Sequence, residues 1–186
     1  MIVLASASPR RAELLRAAGI EFDVVAAQID EAARPHERAD DYVRRIAEAK
    51  GRAVAARVTD RIILAADTTV VVNDIMLGKP IHDDDAKRML RMLSGRAHEV
   101  FTAVSLGRPG ATTLIEIERT AVEFAPMTEF EIDWYVATGE PHDKAGAYAI
   151  QGYASRFVTR IDGSYSNVVG LPMALVYDIL KGLTTL

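Results

Sequence analysis

In this sequence of 186 residues, the side chain that most needs a chemical reason is an aspartate set among apolar residues. Asp67 follows Ile62-Ile63-Leu64-Ala65-Ala66 and precedes Thr68-Thr69-Val70-Val71-Val72. A charge in such a run is costly unless it is paired, hydrogen-bonded or bound to a metal. The end of a buried strand is also where open α/β sheets place ligands and catalysts. A carboxylate there suits a metal ligand or a general base acting on water, and it equally suits the capping of a neighbouring loop.

Five further segments contradict their surroundings. In Ala5-Ser6-Ala7-Ser8-Pro9-Arg10-Arg11 a strand leads through small residues into a helix start. Such a start turns backbone N–H groups and a positive dipole end towards an anion, and two arginines add forked donors; an ordinary capped helix with solvated arginines reads the same way. Lys50 lies on the apolar stripe Val43, Ile46, Ala47, Val54, where it either snorkels to the surface or meets a phosphate at a cleft. Gly78-Lys79-Pro80 places a lysine in a rigid turn. Asp143 to Gly152 is rich in small residues and ends in Gln151-Gly152; the Gln151 carboxamide offers the donor and acceptor that a nucleobase edge requires, or the segment is a strand between glycine turns. Gly163 to Pro172, with its hydroxyls and Asn167, is either a second anion-facing helix start or a well-capped loop.

The elements that must position these residues follow from periodicity. Strands are expected at Ile2–Ala5, Phe22–Val25, Ile62–Ala66, Thr69–Val72 (turning at Asn73-Asp74), from Val100 to Leu106 and from Thr113 to Phe124, with short ones near Ala147–Ile150 and Phe157–Ile161. Helices are expected after Ser8 as cap with Pro9 first, from about Asp40 to Ala56, from Asp83 to Ser94-Gly95, after the Thr128-x-x-Glu131 capping box, and from Pro172 through Lys181. The pattern predicts an α/β protein, its mixed sheet parallel at first and antiparallel later, flanked by helices and forming one domain over residues 1–186.

Composition excludes several classes. Lys+Arg 22 against Asp+Glu 26 gives a net charge of −4, against broad nucleic-acid binding. With Cys 0 there is no disulfide, thiolate nucleophile or cysteine-held metal. His36, His82, His98 and His142 show no paired spacing and read as surface or loop residues. The longest charge-free stretch, Gly163 to Tyr177, falls short of the roughly 20 apolar residues of a membrane span. Arg10 and Arg11 come after the first apolar run, the wrong order for a secretory signal, so a cytoplasmic address is expected. P-loop and Rossmann glycine patterns do not occur.

Taken together, Ala5 to Arg11, Glu31, Glu48-Ala49-Lys50, Ala65-Ala66-Asp67-Thr68, Gly78-Lys79-Pro80, Ser94-Gly95, Asp143 to Gly152 and Ile161 to Pro172 resemble, in family order over almost the whole chain, the Maf family of nucleoside triphosphate pyrophosphatases. The resemblance implies an elongated mixed sheet flanked by helices with a deep central cleft, similar to the inosine triphosphatase superfamily. It implies hydrolysis between the α and β phosphates with a divalent cation (Mg2+, Mn2+ or Co2+), in a homodimer. It assigns Asp67 as proton acceptor; Arg11, Lys50 and Lys79 as phosphate-side cations; Ser8 as the loop hydroxyl; Arg10, Thr68 and Gln151 to base selection; and Glu31 with Asp67 to the metal. Ser8-Pro9-Arg10-Arg11, Asp67-Thr68 and Ala149-Ile150-Gln151-Gly152 are similar to the dTTP/UTP branch. The 7-methylguanine branch carries a tryptophan between the proline and the arginine pair, and Gln or Glu where Thr68 and Gln151 stand. The implied role is nucleotide-pool housecleaning; the alternatives are 7-methyl-GTP hydrolysis and a nucleotide-binding regulator of cell division without turnover.

Overall fold

The computed structural model describes residues 1–184. Seven strands form a mixed sheet in the order β2-β1-β3-β5-β6-β7, with β4 paired to β3. In chain order the elements are β1 (Ile2–Leu4), α1 (Pro9–Ala17), β2 (Phe22–Val24), α2 (Ala39–Ala55), β3 (Ile63–Val72), β4 (Ile75–Leu77), α3 (Asp83–Leu93), β5 (Ala97–Gly107) and β6 (Leu114–Phe124). Then come α4 (Glu129–Ala137), 3-10 turns at Ala145–Ala147 and Tyr153–Phe157, β7 (Val158–Asp162), α5 (Tyr165–Val169) and α6 (Met173–Thr184). β1 runs parallel to β2 and to β3, whereas β4 on β3 and β7 on β6 are antiparallel. The chain divides into two compact units, one of Met1–Asp67, Thr102–Glu118 and Gly170–Leu186, the other of Thr68–Phe101 and Arg119–Val169.

In the first unit, strand alternation sorts the core onto two faces. Ile2, Leu4, Leu64 and Ala66 pack with Leu15 of α1 and Val176 of α6. Val3, Ala5, Ile63 and Ala65 pack on the opposite face with Val54 of α2. Helix α2 buries the stripe Val43, Ile46, Ala47, Lys50 and Val54, and opens with Asp40 and Asp41 against its positive dipole end. It approaches the sheet so closely that a Cβ on Gly51 would stand 3.3 Å from Ser105 Oγ.

In the second unit, β3 and β4 are joined by Asn73-Asp74, both left-handed at φ 50° and 62°, the geometry of a two-residue hairpin turn. Helices α3 and α4 are joined by two ion pairs, Arg91 to Glu129 at 2.6 Å and Lys87 to Asp133 at 2.7 Å. The Thr128–Glu131 capping box opens α4 as the sequence predicts.

Four expectations need correction. The predicted third and fourth strands are one continuous β3, so Asp67 lies mid-strand instead of at a strand end. A paired carboxylate does not interrupt the ladder, and Thr68 and Thr69 are good strand formers. Ser8 occupies the N-cap of α1 but its side chain makes no cap hydrogen bond. Ala147–Ile150 is not a strand, because Gly146 and Ala147 are left-handed at φ 70° and 59° and end a 3-10 turn. A Cβ at Gly146 would also come within 2.9 Å of the Val70 side chain, so the turn needs glycine. Finally, His98 is buried on β5, edge-on to the rings of Phe124 and Tyr148 at 5.0 and 5.3 Å. Short α5 resolves as a well-capped loop: Ser164 Oγ accepts from the Asn167 N–H, and Asn167 Nδ2 donates to Val100 O and Thr120 Oγ1.

Candidate active site

Asp67 belongs to the odd-numbered face of β3, the face that Ile63 and Ala65 turn towards α2. Lys50 lies on the buried stripe of that helix, so register alone brings the two together. Lys50 Nζ donates to Asp67 Oδ1 at 2.8 Å and lies 3.0 Å from Glu31 Oε1. The lysine therefore does not snorkel: its side chain is 10% exposed and its ammonium is gripped by two carboxylates. The second oxygen, Asp67 Oδ2, is buried and has no hydrogen-bond partner in the protein. A buried, half-satisfied carboxylate is expensive, and it is the feature of this site that asks for a proton donor, a water or a cation.

Burial pushes the Asp67 carboxyl above the ordinary aspartate range, while Lys50 and then Arg11 pull the other way. The Arg11 guanidinium is buried, and Nε and Nη1 are directed inward. Nε donates to Gly170 O at 2.8 Å, and Nη1 to Ala66 O at 2.8 Å and Ser6 Oγ at 3.1 Å. Arg11 thus braces the backbone next to Asp67 and supplies positive potential there. Ser6 Oγ also accepts from the Ser8 N–H, fixing the turn into α1 that carries half-buried Ser8 and Arg10.

Glu31 stands on the long irregular segment between β2 and α2, half-exposed at 44% of its side chain. Residues of α2 that the sequence reading overlooked fasten this segment. Tyr42 donates its hydroxyl to Glu31 O at 3.0 Å, and Arg45 Nη2 donates to Ala32 O at 3.0 Å. Arg45 also grips Glu37 through both carboxylate oxygens at 2.6 and 2.7 Å, holding the Glu37 carboxyl down at about 2. Burial, then the negative charges of Asp67 and Glu31, push the Tyr42 hydroxyl up to about 12, so it remains a donor. A signal was present: a connection this long without secondary structure is unusual unless it has work to do.

The structure therefore brings together Arg11, Glu31, Lys50 and Asp67, all in the first unit. Thr68, Lys79 and Gln151 belong to the second. Thr68 is half-buried and follows Asp67 on β3; Lys79 and Gln151 are exposed. Gly146 N donates to Gly78 O at 3.1 Å, which ties the turn carrying Lys79 to the segment leading to Gln151.

A mixed sheet with helices on both faces and a buried carboxylate braced by lysine and arginine defines an α/β protein organised around one aspartate. The chain belongs to the Maf-like protein family, whose pattern matches residues 1–183. It is 52% identical over 184 residues to a protein of Anaeromyxobacter sp. (strain Fw109-5) named dTTP/UTP pyrophosphatase, covering 97% of this chain and 88% of that one. A protein of the same name from Geobacter sulfurreducens is 52% identical over 181 residues, covering 97% and 95%. Among solved structures, the Ham1 protein of Staphylococcus aureus shares the fold with a TM-score of 0.56 at 16% identity, covering 97% of this chain and 98% of that one. Among the described residues no helix is long and apolar enough to cross a membrane.

Proposed function

We propose that this protein hydrolyses dTTP and UTP between the α and β phosphates, releasing the nucleoside monophosphate and pyrophosphate. The observation that carries the reading is the buried Asp67, held at Oδ1 by Lys50 with Oδ2 unpartnered. Family membership and two relatives of the same printed name support the substrate class. Oδ2 accepts the proton of the water that attacks the α phosphorus. Holding Oδ1 on Lys50 fixes the plane of the carboxylate, so Oδ2 needs no reorganisation to act. Burial, by raising the carboxyl's pKa, makes Asp67 a stronger base than a solvated aspartate.

Base selection is assigned to Arg10, Thr68 and Gln151, and phosphate charge to Arg11, Lys50 and Lys79. A pyrimidine offers an N3–H donor beside carbonyl acceptors, which one carboxamide can meet together. A site whose polar groups match one ring rejects a ring that leaves them unpaired.

The donor set also fits a divalent cation. Asp67 Oδ2 and the Glu31 carboxylate are hard oxygen donors, and among the described residues there is no group of three or more His, Asp and Glu placed for a metal. Hard oxygen donors suit an ion such as Mg2+, Mn2+ or Co2+ held by one or two carboxylates and otherwise by water and substrate phosphates. When bound it would offset phosphate charge and acidify its water. A cytoplasmic homodimer completes the proposal, its assembly checked by gel filtration.

The test is a panel of dTTP, UTP, CTP, GTP and 7-methyl-GTP with Mg2+ or Mn2+, products resolved by chromatography. Pyrophosphate and monophosphate from dTTP and UTP are expected. Release of inorganic phosphate, binding without turnover, or preference for 7-methyl-GTP would each overturn the reading.

A further inference from the structure

The peptide around Gln151 is held by side chains to which no role has been given so far. Glu140, in the turn after α4, accepts three hydrogen bonds: from the Tyr135 hydroxyl at 2.8 Å, the Tyr153 N–H at 2.9 Å and the Ala154 N–H at 3.2 Å. The Tyr135 oxygen in turn accepts from the Ala149 N–H at 3.2 Å. One carboxylate therefore fixes the backbone two residues before Gln151, through tyrosine, and two and three residues after it directly. Glu140 lies so close that a Cβ on Gly152 would overlap its carboxylate. Upstream, Tyr148 is locked by the His98 Nε2 at 2.9 Å, and Ile150 is buried. Between the anchors at Ile150 and Tyr153, Gln151 is exposed.

Such an arrangement is more than a helix needs for its end. The Tyr135 ring is fully buried, and burial together with Glu140 raises the pKa of its hydroxyl, which stays a donor. A hydroxyl placed between a carboxylate and an amide transmits one fixed geometry to the other, and networks of this kind hold side chains to tolerances that hydrogen-bond readout requires.

We propose that Glu140, acting through Tyr135, is the positioning residue for base selection: it fixes the backbone from Ala149 to Ala154 so that the Gln151 carboxamide meets the pyrimidine edge. The inference rests on the reading of Gln151 as a base-selecting residue. Glu140 and Tyr135 touch no substrate; they act by excluding other conformations of the peptide.

The experiment compares wild type, Gln151→Ala, Tyr135→Phe, Glu140→Gln and the double variant Tyr135→Phe/Gln151→Ala, with dTTP and GTP as substrates. Tyr135→Phe keeps the buried ring and removes only the linking oxygen, and circular dichroism with thermal melting verifies its fold. With Tyr135→Phe and Glu140→Gln, KM for dTTP is expected to rise about tenfold and the dTTP-over-GTP preference to fall about tenfold, with kcat within about twofold. In the double variant the loss is expected to equal that of Gln151→Ala, since removing the reader leaves nothing to position. If Gln151→Ala loses preference while Tyr135→Phe and Glu140→Gln keep it, or if the losses multiply, the positioning role is wrong and the base-reading role stands. If wild type turns over neither substrate, or Gln151→Ala keeps its preference, both fall together.

Discussion

Lys50 Nζ lies 2.8 Å from Asp67 Oδ1 and 3.0 Å from Glu31 Oε1, joining a buried carboxylate to a half-exposed one through a single ammonium. The relationship assigns different work to the two oxygens of Asp67. Oδ1 is committed to the lysine, Oδ2 is buried without a hydrogen-bond partner in the protein, and the proposed reaction gives the proton-accepting role to this second oxygen. In a medium of low dielectric a half-satisfied carboxylate costs stability, which is the expected mark of a functional group.

Asp67→Asn keeps the shape of the side chain and an oxygen for Lys50 while removing the base. We expect kcat for dTTP to fall by about three orders of magnitude, with dTTP binding by calorimetry within about threefold of wild type. Steady-state kinetics alongside the titration check it, and full activity in this variant removes Asp67 from the chemistry.

Lys50→Met leaves the buried Asp67 carboxylate without the cation it is hydrogen-bonded to, with the more distant Arg11 still nearby. Breaking a buried pair in this way costs about 3 kcal/mol of stability, read as a lower urea midpoint. The remaining activity carries a second signature. Without the lysine the Asp67 pKa, already raised by burial, rises further. Since the base must be ionised, the acid limb of the rate profile moves to higher pH. A limb that stays in place dissociates Lys50 from the ionisation of Asp67.

Much of this site is legible before any coordinates, and the reason is physical. The stripe Val43, Ile46, Ala47, Lys50, Val54 and the apolar run at Ile62–Ala66 are local patterns, fixed by helix and strand period. What escapes is the long-range settlement of each anomaly. Mid-strand placement of Asp67 depends on a partner in α2, and Arg11 finds its acceptors at Ala66 and at Gly170, 55 and 159 residues away in sequence. No local rule says that an arginine expected to face phosphate also braces backbone carbonyls. His98 is misread for the same cause, because the rings that bury it come from Phe124 and Tyr148. The Ala147–Ile150 strand fails on backbone sign, which the small side chains of this segment do not announce.

His98 makes acid stability a measurable consequence. Burial pushes its imidazole down to about 4 from an ordinary value of 6.5, and Nδ1 is buried with no hydrogen-bond partner. The folded pKa is depressed, so the unfolded chain takes up the proton first. The stability this histidine gives is complete above about pH 6.5 and is lost as pH falls towards 4, at about 1.4 kcal/mol per pH unit and about 3 kcal/mol in all. His98→Gln, whose amide oxygen can accept the Tyr148 O–H, should show a flatter decline. Urea midpoints of both proteins at pH 7 and pH 4.5 measure the difference; parallel declines would acquit His98.

Glu31 offers the means to separate a metal role from a merely structural one. Its carboxylate is within ion-pair distance of Lys50, but it is half-exposed, and Tyr42 holds its backbone independently of the side chain. Glu31→Gln therefore preserves the loop and the reach of the side chain while removing the negative charge. If Glu31 helps to hold a cation, the Mn2+ concentration giving half-maximal rate with dTTP should rise about tenfold, with kcat at saturating Mn2+ within about threefold of wild type. Binding of Mn2+ in the presence of dTTP, followed by electron paramagnetic resonance, should weaken by the same factor without reference to turnover. If instead Glu31 serves only to share the Lys50 charge, the metal titration stays where it was and the change appears in the acid limb set by Asp67. The two outcomes move different axes of the same data set, so a single variant decides between them.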